Sequence, residues 1–258
     1  MTARIVHIAA NTFREAVRDR VLYNLIAFAL LLSGAAIFVG QISIDIERLV
    51  VVNLGLAEVS LFGVVIAIWI GIGLVSKEID KRTLYTVLSR PVRRWEFIVG
   101  KFFGLAGTLV VNTFFMAIGV FVTLLYVAHK FSAPDAGILV ALYFIVLEFV
   151  IICSLALLFS SFSSPLLSAL FAFSLFVIGS FADDLRGFAR LTHGLSRWFA
   201  TAAAYLVPNF SALNVISAVA HQQPLSRQLI LENTAYALFY AAMALSGAVL
   251  IFERRNFK

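Results

Sequence analysis

The sequence predicts an all-helical integral membrane protein, and three observations support this prediction. Of its 258 residues, 62% are apolar and only 13% are charged, whereas a soluble domain is about 45–50% apolar and about 25% charged. The mean hydropathy of +0.98 means more apolar side chains than one soluble core of this size can bury. Six apolar stretches approach or exceed the roughly 20 helical residues that cross a bilayer core. This composition excludes a conventional soluble enzyme.

The six predicted spans cover residues 21 to 40, 56 to 75, 97 to 127, 138 to 160, 165 to 182 and 231 to 252. An even number of spans puts both ends of the chain on one side of the membrane. Most Lys and Arg residues fall on that side, and the positive-inside rule makes it cytoplasmic. We therefore expect a single multi-pass domain over residues 1–258, surrounded by lipid, with both termini in the cytoplasm.

Residues 1–20 precede the first span and have the pattern of an amphipathic helix. The apolar run that follows exceeds the usual 7–15 residues of a signal-peptide core, so we expect an uncleaved span. The pattern predicts an interfacial helix lying on the membrane surface, and a helix packed on a partner is the alternative. Its apolar face consists of Ile5, Ile8, Ala9, Thr12, Phe13, Ala16 and Val17.

The segment 76–95, between the second and third predicted spans, is the most charged part of the chain and cannot lie in lipid. The pattern predicts a short helix from Lys77 to Ser89, which Pro91 ends because proline lacks an amide hydrogen and disfavours a helical residue before it. A second helix starts near Arg93. A solvated loop that only fixes topology is the alternative interpretation. The charged residues are Lys77, Glu78, Asp80, Lys81, Arg82, Arg90, Arg93 and Arg94.

On the opposite side, the extracytoplasmic segment 183–230 mixes aromatic and polar residues and is interrupted by Pro208 and Pro224. This composition predicts short amphipathic or re-entrant helices before the sixth span. The pieces with this pattern are Leu185 to Tyr205 and Asn209 to Ala220.

Two carboxylates fall inside predicted spans. Glu148 lies near the middle of the fourth span, where an ionisable group is costly unless it faces protein. It is either a pathway or proton-linked carboxylate, or it makes a structural hydrogen bond with Asn112 or Thr113. Glu58 falls near the outer end of the second span, where snorkelling towards the interface is favoured.

No cofactor or metal site is predicted in this chain. The pair Gly100 and Lys101 lacks the rest of a phosphate-binding loop, the four His residues are far apart, and the single Cys153 cannot form an intrachain disulfide. The net charge of +6 does not indicate nucleic acid, because the basic residues alternate with apolar runs. We therefore expect a chain that is not an enzyme.

The stretch from Lys77 to Gly104, KEIDKRTLYTVLSRPVRRWEFIVGKFFG, resembles the signature of ATP-binding-cassette permeases of the type 2 exporter class. The amphipathic start, the six spans, the LVPNF motif from Leu206 and the basic end ERRNFK agree with that class. The pattern is most similar to the bacterial branch that includes the permease of the nitrous-oxide-reductase copper-maturation system. The matching positions are Glu78, Arg82, Thr83, Leu84, Leu88, Ser89, Pro91, Gly100 and Lys101.

This resemblance implies a coupling helix that sits in a cleft of a separate ATPase subunit. Two permease chains, identical or different, would assemble with two ATPases in the bacterial inner membrane, and ATP and Mg²⁺ would bind only to the ATPases. The coupling residues would be Lys77, Glu78, Asp80, Lys81, Arg82, Thr83, Arg90, Pro91, Arg93 and Arg94.

The resemblance implies export of a substrate that the sequence does not identify. Two alternatives stay open. One is a secondary carrier that needs no ATPase and relies on Glu148; the candidate pathway or helix-interface residues are Glu148, Glu58 and Asn112. The other is a permease-like mechanotransmitter, in which the segment 183–230 contacts a periplasmic partner and no substrate crosses.

Overall fold

A computed structural model describes residues 2–42, 46–80, 93–128, 133–191 and 206–254, with the single positions 198 and 201. This part of the chain is helical and contains no strand. Two short 3-10 helices, Ala133–Ala136 and Ser211–Leu213, lie in the connections. The α-helices are α1 (Thr2–Val17), α2 (Arg20–Ile42), α3 (Glu47–Asp80), α4 (Arg94–Ala128), α5 (Gly137–Ser160), α6 (Pro165–Ser180), α7 (Ala182–Leu191), α8 (Ile216–Ala220) and α9 (Arg227–Arg254).

In the described residues, four helices contain a segment that is long and apolar enough to cross a membrane. They are α3, α4, α5 and α9. The helices α6 and α7 meet at a bend of 62° and add a fifth span if they are one broken element. The 23-residue helix α2 coincides with the predicted first span. An all-helical membrane fold is confirmed, whereas the number of six spans stays a prediction.

The helix α5 occupies the centre of the bundle, and 72% of its most apolar stretch is buried. It packs against α3, α4, α6 and α9, which explains why apolar residues cover all of its faces. Glycines let α3 approach closely. A Cβ atom at Gly71 would lie 3.0 Å from Leu105 of α4 and 3.1 Å from Ala156 of α5, and one at Gly63 would overlap the Phe149 ring of α5.

The boundaries of α3 differ from those predicted. The helix begins at Glu47 rather than near residue 56, and it continues to Asp80 without a break near Lys77. No Gly or Pro occurs between residues 74 and 80 to interrupt it. The start of the predicted short helix is therefore the end of a longer one, and the rest of it lies outside the described residues.

The helix α1 has the buried apolar face that its pattern predicts. Ala16 is 1% exposed and Thr12 is fully buried, while His7, Asn11 and Arg14 are exposed. This face packs along α4 of the same chain. Its position on a membrane surface stays a prediction.

The segment before α9 is also packed onto the bundle. The backbone N–H of Phe210 donates to the carbonyl oxygen of Gly179 at the end of α6, at 3.1 Å. The N–H of Asn209 donates to the Tyr236 hydroxyl of α9, at 2.8 Å. The LVPNF motif therefore joins α6 to α9. Much of the predicted piece from Leu185 to Tyr205 lies beyond the described part of the chain, and its re-entry into the membrane stays a prediction.

Candidate functional site

The structure divides the predicted coupling residues into three groups. Lys77, Glu78 and Asp80 belong to the end of α3, and only their backbone is described. Arg93 directly precedes α4, and Arg94 is its first residue. The remaining residues, Lys81, Arg82, Thr83, Arg90 and Pro91, lie outside the described residues, so their part in coupling stays a prediction.

The start of α4 is capped by its own sequence. The backbone N–H of Arg93 donates to Glu96 Oε2 at 3.0 Å, which is one half of a capping box because Glu96 is the third helical residue. A carboxylate is also favourable there because it faces the positive end of the helix dipole. Arg4 of α1 approaches the same Oε2 atom at 3.9 Å. Glu96 therefore both begins α4 and connects it to α1.

Arg94 binds the other end of the chain. Its Nη1 atom donates to the carbonyl oxygens of Phe252, at 2.9 Å, and Glu253, at 3.0 Å. These carbonyls belong to the last turn of α9, where a cation offsets the negative end of the helix dipole. The rings of Phe97 and Phe252 stack beside this contact, with centroids 5.8 Å apart. The sequence predicts Arg94 to be a coupling residue; its guanidinium contacts α9 of its own chain, and its part in coupling stays a prediction.

Two glycines on α4 form the surface that receives α1. A Cβ atom at Gly104 would lie 2.6 Å from the carbonyl oxygen of Ala9, and one at Gly100 would lie 2.7 Å from the Ile8 side chain. The two glycines are four residues apart and lie on one face of α4, which lets the helix backbones approach closely. The spacing indicated helix association, and the structure identifies α1 as the partner.

Lys101 lies between these glycines and is only 1% exposed. Its Nζ atom is 3.8 Å from Glu15 of α1 and 5.5 Å from the centre of the Phe97 ring. A buried ammonium is stabilised by an opposite charge and by an aromatic face. The burial of Lys101 makes it a functional candidate. The sequence analysis considered it only as part of a motif, although a lysine inside an apolar run already indicated a buried charge.

We call the set Arg4, Arg94, Glu96, Lys101 and Phe252 the α4 junction. It joins α1 and α9 to the first two turns of α4, directly after the segment 81–92. Both ends of the described chain therefore lie at one end of the bundle, and their location in the cytoplasm stays a prediction. Any displacement of the start of α4 must carry the neighbouring ends of α1 and α9 with it or break these contacts.

A second polar region crosses the middle of the bundle. Ser60 Oγ of α3 donates to Glu148 Oε2 of α5 at 3.0 Å, and Ser33 Oγ of α2 donates to Glu58 Oε2 of α3 at 2.7 Å. Glu58 and Ser60 are two residues apart and so point to opposite sides of α3. We call Ser33, Glu58, Ser60 and Glu148 the midplane belt.

The midplane belt differs from the sequence interpretation in two ways. The partner of Glu148 is Ser60, not Asn112 or Thr113, and the Thr113 hydroxyl bonds to the carbonyl oxygen of Leu109 in its own helix. Glu58 lies close to the middle of the candidate span Glu47–Gly73, not near its outer end. The early start of α3 at Glu47 is the reason for the second difference.

The end of the bundle opposite the α4 junction has its own ion pair. Arg48, at the start of α3, pairs with Asp135 in the connection before α5, and its Nη1 donates to the carbonyl oxygen of Ala220 in α8 at 3.3 Å. Asp135 is buried. Three elements that are distant in sequence are thus held together at this end.

The apolar helices, the central α5 and the polar contacts inside the bundle define a multi-pass integral membrane protein. The sequence profile of the ABC-2 family transporter proteins matches residues 6–256, which is nearly the whole chain, and the chain belongs to this family. It is a permease subunit of an ABC transporter, a type of subunit that is generally non-catalytic and pairs with an ABC ATPase. No curated protein matches the chain significantly.

Proposed function

We propose that this permease couples ATP hydrolysis in a separate ATPase subunit to the export of a substrate across a bacterial cytoplasmic membrane. Two copies of the ATPase and a second permease chain, identical or different, would complete the transporter. The observation that carries the proposal is the α4 junction, because it connects the exit of the coupling segment 76–95 to both ends of the chain.

The coupling segment acts as a lever in this mechanism. ATP and Mg²⁺ bind in the ATPase, whose closure displaces the segment that lies between α3 and α4. The charge-assisted hydrogen bonds of Arg94 to the last turn of α9 are stronger than neutral ones, and α1 packs closely on Gly100 and Gly104 of α4. In this mechanism α4, α1 and the end of α9 therefore move together. A rigid-body shift of packed helices is a common way to transmit such a displacement through a protein.

The experiment is copurification of the ATPase with the tagged chain from its native host in mild detergent. The coupling variant Glu78→Ala/Arg82→Ala is compared with Arg190→Ala, which removes an exposed charge at the other end of the bundle. We expect the ATPase to elute with the native chain and with Arg190→Ala, and to be depleted in the double variant.

Two other outcomes would replace the proposal. If no ATPase is recovered even after cross-linking, ion-gradient-driven transport that depends on Glu148 becomes the better explanation. If the complex hydrolyses ATP but moves no substrate, and a periplasmic protein cross-links to the segment 183–230, the chain is a mechanotransmitter. Depletion of the ATPase by Arg190→Ala as well would show that the double variant does not report on coupling.

A further inference from the structure

A cavity of about 330 Å³ lies between the end of α1, α3 and the start of α6. Each helix lines it with residues three or four positions apart, such as Trp69 and Gly73 of α3 or Leu166 and Ala169 of α6, because residues at this spacing share one helix face. Small-molecule sites have volumes of about 300–1,000 Å³. The cavity is therefore large enough for a ligand, and its lining determines which kind of ligand it accepts.

The cavity wall has a charged edge and an uncharged, mostly aliphatic remainder. Glu15 of α1 and Asp19, which follows that helix, supply two carboxylates to the lining. Glu15 lies 3.8 Å from Lys101 Nζ, yet its side chain is 43% exposed, and a carboxylate accepts hydrogen bonds at about four positions. Among the described residues, no basic side chain lines the cavity. The lining therefore favours a ligand with a positive group next to an apolar body.

The position of the cavity suits a molecule that is dissolved in the bilayer. Gly73 is the last residue of the candidate span Glu47–Gly73, so the cavity lies where this span ends. Trp69, one turn before Gly73, is 60% exposed, and Leu166 is 73% exposed, so both side chains reach the outside of the bundle. Tryptophan is enriched at this level, where the membrane meets water. A ligand can therefore enter sideways between α3 and α6 and keep its polar end at the membrane boundary.

We propose that this cavity binds an amphiphile whose ammonium group contacts Glu15 and Asp19 and whose hydrocarbon chain packs against Trp69 and Ala169. Hydrogen bonds between an ammonium and a carboxylate are charge-assisted and stronger than neutral ones, and the apolar wall removes the chain from water. An amphiphile with an anionic head is repelled by the same two carboxylates. A free alkylammonium and an aminophospholipid of the bilayer share the required chemistry. Binding does not depend on the proposed function, and only the identification of the ligand as exported cargo rests on it.

Trp69 lines the cavity and reports its occupancy by fluorescence. The full chain with Trp95→Phe and Trp198→Phe keeps Trp69 as its only tryptophan. This chain is placed in phosphatidylcholine nanodiscs and titrated with 6-bromododecylammonium, because a bromine atom quenches a tryptophan that it contacts. The anionic probe 6-bromododecanoate is the control for quenching by molecules that are merely dissolved in the lipid. Binding at a site gives saturable quenching, whereas dissolution in lipid does not saturate.

We expect saturable quenching by the ammonium probe only. Glu15→Gln/Asp19→Asn should weaken its binding about tenfold, whereas Asp184→Asn/Glu232→Gln, which removes the same charge from exposed positions at the other end of the bundle, should not. Ala169→Phe fills the apolar part of the cavity and should abolish saturable quenching. Melting temperatures without probe show that each variant is folded.

Three results would overturn the proposal: no saturable quenching by the ammonium probe, equally tight binding of the anionic probe, or unchanged affinity in both cavity variants. The lipid composition distinguishes the two sources of the ligand. Loss of probe binding when phosphatidylethanolamine replaces half of the phosphatidylcholine would assign the site to an aminophospholipid, and unchanged binding would assign it to a free alkylammonium. No ATPase is needed, so a failure here leaves the proposed function intact.

Discussion

Arg94 and Phe252 are 158 residues apart in the sequence, yet the guanidinium of the first donates to the carbonyl oxygen of the second at 2.9 Å. The first residue of α4, directly after the predicted coupling turn, thereby contacts the last turn of α9. Any displacement of the start of α4 is therefore passed to the end of α9 through this hydrogen bond and through the packing of Phe97 on Phe252.

Arg94→Ala should weaken transmission without abolishing ATPase binding. Loss of the two hydrogen bonds to the end of α9 should lower the free energy of unfolding by about 1–2 kcal/mol at most, because they are partly exposed. We expect the ATPase still to copurify, and ATP hydrolysis to respond less to the permease. Arg190→Ala is the control and should leave both properties unchanged. Loss of the ATPase from the Arg94→Ala complex would instead indicate a direct contact between Arg94 and the ATPase.

Gly104→Ala should separate α1 from α4. The added Cβ would lie 2.6 Å from the carbonyl oxygen of Ala9, and overpacking of this kind costs about 1–3 kcal/mol. Gly107→Ala is a matched control because its Cβ meets only Phe13, at an ordinary 3.8 Å. Alanine is about 1 kcal/mol better than glycine in a helix, so this control should be neutral or slightly stabilised. Thermal unfolding in detergent measures both, and equal melting temperatures would contradict the close contact.

Gly63→Ala should be strongly destabilising, because its Cβ would overlap the Phe149 ring. Phe149→Leu should partly rescue it, since the smaller side chain gives the methyl group room. Gly34→Ala, whose Cβ meets no atom within 4 Å, is the control. A double-mutant cycle on unfolding should show a coupling energy of about 0.5–3 kcal/mol. Strict additivity would mean that α3 and α5 do not meet at this point.

Arg48→Ala should destabilise the end of the bundle opposite the α4 junction. It removes the ion pair that Arg48 makes with the buried carboxylate of Asp135, and removing one partner of a buried pair costs about 3–5 kcal/mol. The partial exposure of Arg48 puts the expected loss at the low end of that range. Arg186→Ala breaks the exposed pair with Asp183 and should change stability by about 1 kcal/mol or less. Similar losses in the two variants would contradict the buried character of the Arg48 pair.

Local patterns in the sequence predicted much of this fold. The helical spacing of apolar residues predicted α1, and Pro91 predicted a new helix near Arg93. These features depend on neighbouring residues, whose propensities and periodicity are visible in one dimension. The same reasoning did not locate the start of α3, because Glu47 and Arg48 are charged, and the contacts of Arg48 with Asp135 and Ala220 come from distant parts of the chain.

Long-range partners could not be predicted in the same way. The sequence indicated that Glu148 must face protein, but Ser60 is 88 residues away and is one of many hydroxyl groups in apolar runs. Gly100 and Gly104 indicated close packing without identifying α1 as the partner. Such pairings depend on which helix faces meet, and that is fixed by the packing of the whole bundle.

Because α1 and the end of α9 both contact the start of α4, the distance between these two helices reports on the α4 junction. Ala3 and Glu253 are exposed and lie beside the contacts that Arg4 and Phe252 make with the first turn of α4. Fluorophores attached at these two sites would sit close together while the junction is intact. Because the proposed mechanism moves α1 and α9 together with α4, their energy transfer should stay constant through the nucleotide cycle, and a fall would show that the junction opens.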